Sequence, residues 1–148
     1  MAGLIPLWLT GWKVEHTIWA PLRLAGATLA VVGAVALLEA FARFVSEGLG
    51  TPAPIAPTQT LVIGGPYRHV RNPMYLAVAA VIVGQALVLG QARLLIYAGA
   101  YGIAVGSFVR WYEEPTLSRR FGRQYEAYRS GVPAWRPRLR PWRPQSEE

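Results

Sequence analysis

The chain has 148 residues, a formal net charge of +7 and 53% hydrophobic residues, with only 16% charged. It contains no cysteine, which excludes disulfides, thiolate metal sites and cysteine nucleophiles, and with no aspartate and no GxGxxG after a strand it lacks the signature of a soluble dinucleotide-binding enzyme. One domain that is richer in apolar side chains than a soluble fold needs, and whose positive charge is almost wholly arginine, points to lipid rather than nucleic acid as its partner.

The N-terminal piece, MAGLIPLWLTGWKVEH, is apolar and rich in tryptophan but has neither the basic start nor the small-residue cleavage site of a secretory signal. It is expected at the membrane interface. Residues 24–44, LAGATLAVVGAVALLEAFARF, have the length of a bilayer span. Near its end Glu39 and Arg43 stand one helical turn apart and are expected to pair, which gives Glu39 a structural role. Residues 48–57, GLGTPAPIAP, cannot continue a helix, because prolines fix φ and remove donors; no Lys-Ser/Thr follows, so they read as a loop and not as a phosphate loop. The organisation is thus an N-terminal part, residues 1–50, leading into a core, residues 51–148.

Residues 64–76, GGPYRHVRNPMYL, concentrate two arginines, a histidine, two tyrosines and an Asn-Pro step before an apolar run. Asn72 can cap a helix by accepting a hydrogen bond from its free N–H groups, and Pro73 suits the first helical position. A helix start beside Arg68 and Arg71 would suit a ligand carboxylate or phosphate; it is also what an ordinary membrane helix with topology-setting arginines looks like.

Residues 74–89 and 94–109 are apolar runs separated by Gly90, Gln91, Ala92 and Arg93, which predicts a tight membrane hairpin. Ala79, Ala80, Gly84, Gly99, Gly102 and Gly106 are expected where helix backbones approach, and Gln85 is expected to bond a neighbouring helix. Beyond Val109, Leu117, Phe121, Tyr125 and Tyr128 recur at three- and four-residue spacing, which predicts an amphipathic helix. Projected at about 100° per residue, Arg110 and Glu114 fall near its apolar face and Arg119 and Arg123 point away, with Pro115 able to shift the register. Gly122 weakens that helix, Gly131-Val132-Pro133 stops it, and an Arg/Trp/Pro tail suited to the interface follows. Nine arginines follow the hairpin against Arg93 at its turn, which places the C-terminus and residues 64–76 on the cytoplasmic side and the N-terminus outside. The predicted fold is all-α: an integral membrane protein with about three transmembrane helices, an amphipathic cytoplasmic helix and a basic interfacial tail.

Two stretches, GPYRHVRNPMY and EEPTLSRRFGRQYEAYRSGVP, together resemble the isoprenylcysteine carboxyl methyltransferase and phospholipid methyltransferase superfamily of small integral membrane enzymes. The likeness runs from about Pro52 to Pro137, and it rests on the order of the blocks: Gly-x-Tyr with Arg-x-Pro-x-Tyr, a hairpin, then Glu-Glu-x-x-Leu-x-x-x-Phe-Gly-x-x-Tyr-x-x-Tyr and Val-Pro. It implies methyl transfer from S-adenosylmethionine, in a pocket closed by C-terminal segments, to an acceptor that enters from the lipid side. Cofactor contacts are implied for Gln59, Thr60, Leu61, Val62, Tyr67, Asn72, Pro73, Met74 and Tyr75, and for one of Glu113 and Glu114.

Many members have histidine where this chain has Asn72, which cannot serve as a base, and His69 three residues earlier does not replace it. A sulfonium methyl donor is already activated, so alignment and exclusion of water suffice; no metal, nucleophile or triad is required and no catalytic residue is assigned. Arg110 is the candidate to orient a carboxylate acceptor, with a membrane-boundary anchor as its plainer role. Tyr125 and Tyr128 read as interfacial packing residues.

The acceptor class stays open among carboxylates, isoprenoids and lipid headgroups at the cytoplasmic face of a bacterial inner membrane. Three spans are few for a closed cavity, which a homo-oligomer could complete. Two other readings stand beside the methyltransferase: an NADPH oxidoreductase of the membrane sterol-reductase kind, with Arg68 and Arg71 for the 2′-phosphate, and a non-catalytic lipid-binding protein. Nucleic-acid binding by the tail is the weakest, because the tail sits beside a membrane hairpin.

Overall fold

The computed structural model describes residues 2–12, 14, 19–48 and 59–144, and every regular element among them is helical. A short helix α1, Leu4–Thr10, ends at Gly11 in the left-handed region (φ 55°) and leaves Leu4, Leu7 and Trp8 exposed. Helix α2, Ala20–Gly48, has 29 residues and is about 43 Å long. It outruns the predicted 24–44 at both ends. A 3₁₀ turn, Gly65–Arg68, precedes α3, Pro73–Leu89, which begins at Pro73 as the Asn-Pro step predicts. Helix α4, Ala92–Phe108, passes through a π turn, Val109–Glu113, into α5, Glu114–Phe121, and α6, Arg123–Gly131, follows.

Two helical runs, Ala20–Gly48 and Ala92–Phe121, are long and apolar enough to cross a membrane, and α3 is a shorter apolar helix of 17 residues. Along α2 the side chains of Val31, Val32, Val35 and Leu38 are each more than half exposed. Such a row of bare apolar side chains is costly in water and unremarked in lipid, so the molecule is an all-α membrane protein.

The chain forms two compact units. In the first, Met1–Leu37 with Tyr75–Ser107, α2 and α3 approach closely at small residues. A Cβ added at Gly84 would sit 2.6 Å from the Ala30 nitrogen and the Gly26 oxygen, and one at Gly33 would sit 3.0 Å from the Ala77 oxygen. At Gly84 only glycine lets the backbones this near, while at Gly33 a side chain would press its neighbours apart slightly. The expectation for Gly99, Gly102 and Gly106 is corrected: a Cβ at each of these α4 positions would meet nothing within 4 Å. Gln85 reaches not a helix but the Ala2 carbonyl just ahead of α1, at 2.9 Å. Within this unit the hairpin turn is tighter than expected, with Gly90 in the left-handed region (φ 67°) and Leu94 N–H bonded to the Gln91 carbonyl at 3.1 Å.

The second unit is Leu38–Met74 with Phe108–Glu148. One core gathers Ala40, Val62 and Tyr67 with Phe44 and Met74; the other gathers Leu61, Tyr125, Tyr128 and Val132 with Ile63, Leu117, Phe121 and Trp142. Arg43 pairs with Glu47 at 3.4 Å and not with Glu39, which is exposed. Glu47 also accepts a hydrogen bond from Gly64 N–H at 2.8 Å, and its carbonyl accepts one from the Thr60 hydroxyl. A Cβ at Gly64 would collide with that carboxylate, which would have to swing away and give up the Gly64 N–H. The single amphipathic helix predicted after Val109 is two helices, because Gly122 (φ 52°) breaks the chain between α5 and α6. α6 does stop at Gly131 as predicted. The predicted loop 48–57 lies outside the described residues except for Gly48.

Gly84→Leu is expected to destabilise the detergent-solubilised protein by about 1–3 kcal/mol through overpacking. Gly102→Leu, made as its partner, should be close to neutral. Thermal unfolding followed by circular dichroism compares them, and equal losses at both positions would remove the α2/α3 crossing as the explanation.

Candidate active site

The residues ahead of α3 are organised by an ion pair. Arg71 Nη1 donates to Glu114 Oε1 at 2.9 Å and to the Tyr125 hydroxyl at 3.1 Å, and the two charged side chains are only 12% and 15% exposed. Desolvation on this scale is tolerable only for a well-bonded pair. Glu114 is placed by the π turn: its N–H reaches back to the Val109 carbonyl, five residues earlier, and the wider turn absorbs Pro115 without ending the helix. Its second oxygen, Oε2, lies 3.7 Å from Arg129 of α6, which is 45% exposed.

Under this pair lie the two tyrosines. Tyr125 and Tyr128 are 2% and 3% exposed, and the Tyr128 hydroxyl donates to the Tyr67 carbonyl at 2.6 Å. Burial raises the ionisation of both phenols above its ordinary range; for Tyr125 the charge of Arg71 partly opposes this. They are core residues with polar duties, and the interfacial role predicted for them is corrected.

The tail is the other partner of this stretch. Arg71 N–H donates to the Pro133 carbonyl at 3.0 Å, Arg138 N–H to the His69 carbonyl at 3.0 Å, and Trp142 N–H to the Arg68 carbonyl at 2.9 Å. Arg68 Nε returns a bond to the Trp142 carbonyl at 2.8 Å, and His69 Nδ1 lies 2.7 Å from the Arg138 carbonyl. Trp142 stands edge-on to Tyr128 at 5.5 Å, in a space open only because residue 131 is glycine. Residues 133–142 thus run along residues 68–72 as a fixed strap.

The predicted cofactor residues lie in different surroundings. Gln59 and Thr60 are exposed at the end of α2, where Gln59 N–H bonds the Gly48 carbonyl at 2.8 Å. Leu61, Val62, Tyr67 and Met74 belong to the two cores, and Asn72, 6% exposed, gives its side-chain amide to the Ala134 carbonyl at 3.1 Å. Pro73 opens α3, and Tyr75 in its first turn accepts a hydrogen bond from the Tyr101 hydroxyl at 3.3 Å. Glu113 is half-buried in the π turn. Arg68 and Arg71, expected to await a ligand, are spent on Trp142 and on Glu114 with Tyr125 respectively.

A cavity of about 370 Å³ opens beside α5, lined by Arg110, Trp111, Glu114, Pro115, Ser118 and Arg129. It brings Arg110 and Glu114 together, as the helical projection predicts, and leaves out residues 59–62, Tyr67 and Asn72. Glu47 and Arg129 escaped the sequence reading. Glu47 carried a signal, its four-residue spacing from Arg43, but Glu39 stands at the same spacing on the other side. Nothing in the sequence sets Arg129 apart from eight other arginines of the C-terminal region.

A family model described as phospholipid methyltransferase matches residues 22–124, well over half of the chain and from α2 to the start of α6. The chain belongs to the phospholipid methyltransferase family, within the superfamily of small membrane methyltransferases that its motifs resemble. Membership makes it a membrane methyltransferase whose chemistry is directed at lipid-related substrates. No curated protein and no solved structure matches significantly.

The buried phenols give a pH dependence. A folded-state pKa raised above the ordinary 10.0 means that the unfolded chain loses protons first as pH rises, so this contribution is complete below about pH 10 and is lost above it. Ultraviolet titration should show at least two tyrosines ionising late, Tyr125 and Tyr128 among them. Tyr128→Phe should remove one of them and cost about 1–2 kcal/mol, for the lost bond to the Tyr67 carbonyl. Normal titration of all seven tyrosines in the folded protein would contradict the assignment.

Proposed function

We propose that the protein transfers a methyl group from S-adenosylmethionine to a lipophilic or amphiphilic acceptor at the cytoplasmic membrane face. The observation that carries this reading is a run of unspent peptide groups. Leu61 and Val62 are 9% and 6% exposed, yet among the described residues the N–H and C=O groups of residues 61–63 have no hydrogen-bond partner. Buried peptide groups without partners are rare, and a ligand lying along them would supply the missing bonds, as ordered water can. These residues lie within the stretch for which the family resemblance implies cofactor contacts.

The donor set suits this cofactor. Residues 61–63 offer unpartnered peptide groups for a flat base, Val62, Tyr67 and Met74 supply an apolar cluster, and exposed Gln59 and Thr60 offer hydrogen bonds for hydroxyl groups. Asn72, Pro73 and Tyr75 frame the start of α3, and Glu113 and Glu114 are the acids for a cationic group. When bound, S-adenosylmethionine supplies a methyl group already activated by its sulfonium. The chain's own task is then to align the acceptor and to exclude water.

The strap of residues 133–142 serves exclusion. Arg110, exposed in the cavity beside Glu114, serves orientation of the acceptor's charged group. The excess of arginine after the hairpin supports a cytoplasmic setting for all of these groups. Family membership favours this reading over a sterol-reductase-like oxidoreductase.

Calorimetry in detergent should show binding of S-adenosylhomocysteine and none of NADPH. Of Glu113→Gln and Glu114→Gln, one should lose about 1–3 kcal/mol of that binding and the other little. Unchanged affinity in both and in Asn72→Ala, in well-folded samples, would dispose of the site.

Removal of everything after Pro133 should weaken binding of S-adenosylhomocysteine about tenfold or more, since it strips four backbone and side-chain ties from residues 68 and 69. A truncated protein with full affinity would reduce the strap to a topology signal. A cysteine placed at Ser130 should be labelled from the cytoplasmic side of inverted vesicles, and labelling only from the opposite side would reverse the orientation.

A further inference from the structure

The cavity on α5 holds more positive charge than its single carboxylate can use. Arg110 and Arg129 both line it, while Glu114 is already met at 2.9 Å by Arg71 from the protein side. The bond from Arg129 to Glu114 is of a different kind: 3.7 Å long, made by a side chain 45% exposed. A long, half-exposed ion pair contributes little and is easily exchanged, whereas the buried Arg71 bond is not. Among the described residues Arg110 has no carboxylate within bonding distance at all. Two guanidiniums that face one cavity, one unpaired and one weakly held, are donors short of an acceptor, while the Ser118 hydroxyl beside them is already given to Glu126 at 2.6 Å.

The surroundings say what carries that acceptor. Trp111 lines the cavity and is 76% exposed, and Tyr112 and Phe108, stacked at 5.2 Å on the same turn, are 51% and 41% exposed. Bare aromatic rings beside arginines, on a helix that continues an apolar span, mark the depth at which lipid chains meet headgroups.

We propose that Arg110 and Arg129 form a clamp for the oxyanion, phosphate or carboxylate, of an amphiphilic acceptor, with Arg129 exchanging Glu114 for the ligand while Arg71 keeps Glu114 in place. This rests on reading the cavity as the acceptor's, and it adds Arg129 as a specificity-determining residue and Glu114 as the resting counter-ion. The clamp selects for anionic or zwitterionic amphiphiles and against purely cationic ones.

The test uses the full chain in neutral detergent with four soluble probes: hexyl phosphate, hexanoate, hexyltrimethylammonium and inorganic phosphate. Wild type should bind at least one of the two anionic amphiphiles, and the tighter of them names the oxyanion. Arg110→Gln and Arg129→Gln should each weaken that binding about tenfold or more. Arg129→Lys should keep part of it, and Arg123→Gln, which removes an exposed charge outside the cavity, should change it less than twofold. Equal loss in Arg123→Gln would reduce the effect to the general field of the protein and overturn the clamp, as would equally tight binding of hexyltrimethylammonium. Inorganic phosphate bound as tightly as hexyl phosphate would overturn the amphiphile. Affinity for S-adenosylhomocysteine, measured on the same samples, keeps the two readings apart: its retention in the glutamine variants shows an intact fold, and its absence in wild type would sink the S-adenosylmethionine reading and leave the clamp standing.

Discussion

The bond between Arg71 and Glu114 is the contact on which the second unit turns. Each side chain is about seven-eighths out of water, and removal of one partner from such a pair typically costs about 3–5 kcal/mol because the other is left uncompensated. Replacement of both by apolar groups would cost far less, so a pair of this kind is poor evidence of selection for stability. Its value is in placement. It joins the residues just before α3 to the first turn of α5, 43 positions later, and it ranks the arginines around Glu114 into one that is fixed and one that can leave.

Much of the fold was legible because membrane helices announce themselves by length and composition. α2, α3 and α4 lie where apolar runs of the right size lie, and the Asn-Pro step marks the start of α3 to the residue. Chain breaks were legible in part: Gly131 ends α6 as its sequence suggests, but Gly122, a weak point by helix propensity, is a break, since a positive φ costs glycine little and stops a helix outright. The pairing of Arg43 departs from the local expectation for a physical reason. Local helix rules favour glutamate on the N-terminal side, hence Glu39, but Glu47 also receives the Gly64 N–H, a bond made by a residue 17 positions away. No local rule sees that partner.

The candidate site was legible as chemistry more than as contacts. The sequence names Arg110, Glu114, Tyr67 and Asn72 and supplies reasons for each, and the helical projection places Arg110 beside Glu114. It does not foresee that Arg68, Arg71 and Asn72 would be tied to the strap and to Glu114, because those ties run to residues about 40 to 75 positions away. Arg129 is the extreme case. It reaches the cavity only because Gly122 lets α6 turn away from the line of α5, and a helix unbroken from 114 to 131 would not fold back over its own first turn.

The glycines make the same point from the opposite direction. Gly84 and Gly102 are indistinguishable in sequence, each a small residue in an apolar helix, and the rule that small residues mark helix contacts covers both. At Gly84 an added methyl would press on the backbone of Ala30; at Gly102 it would meet open space. The rule is about necessity at a contact, and composition cannot say which contacts exist. What separates the two positions is the partner helix, and a feature that depends on a partner becomes readable only when the partner has been placed.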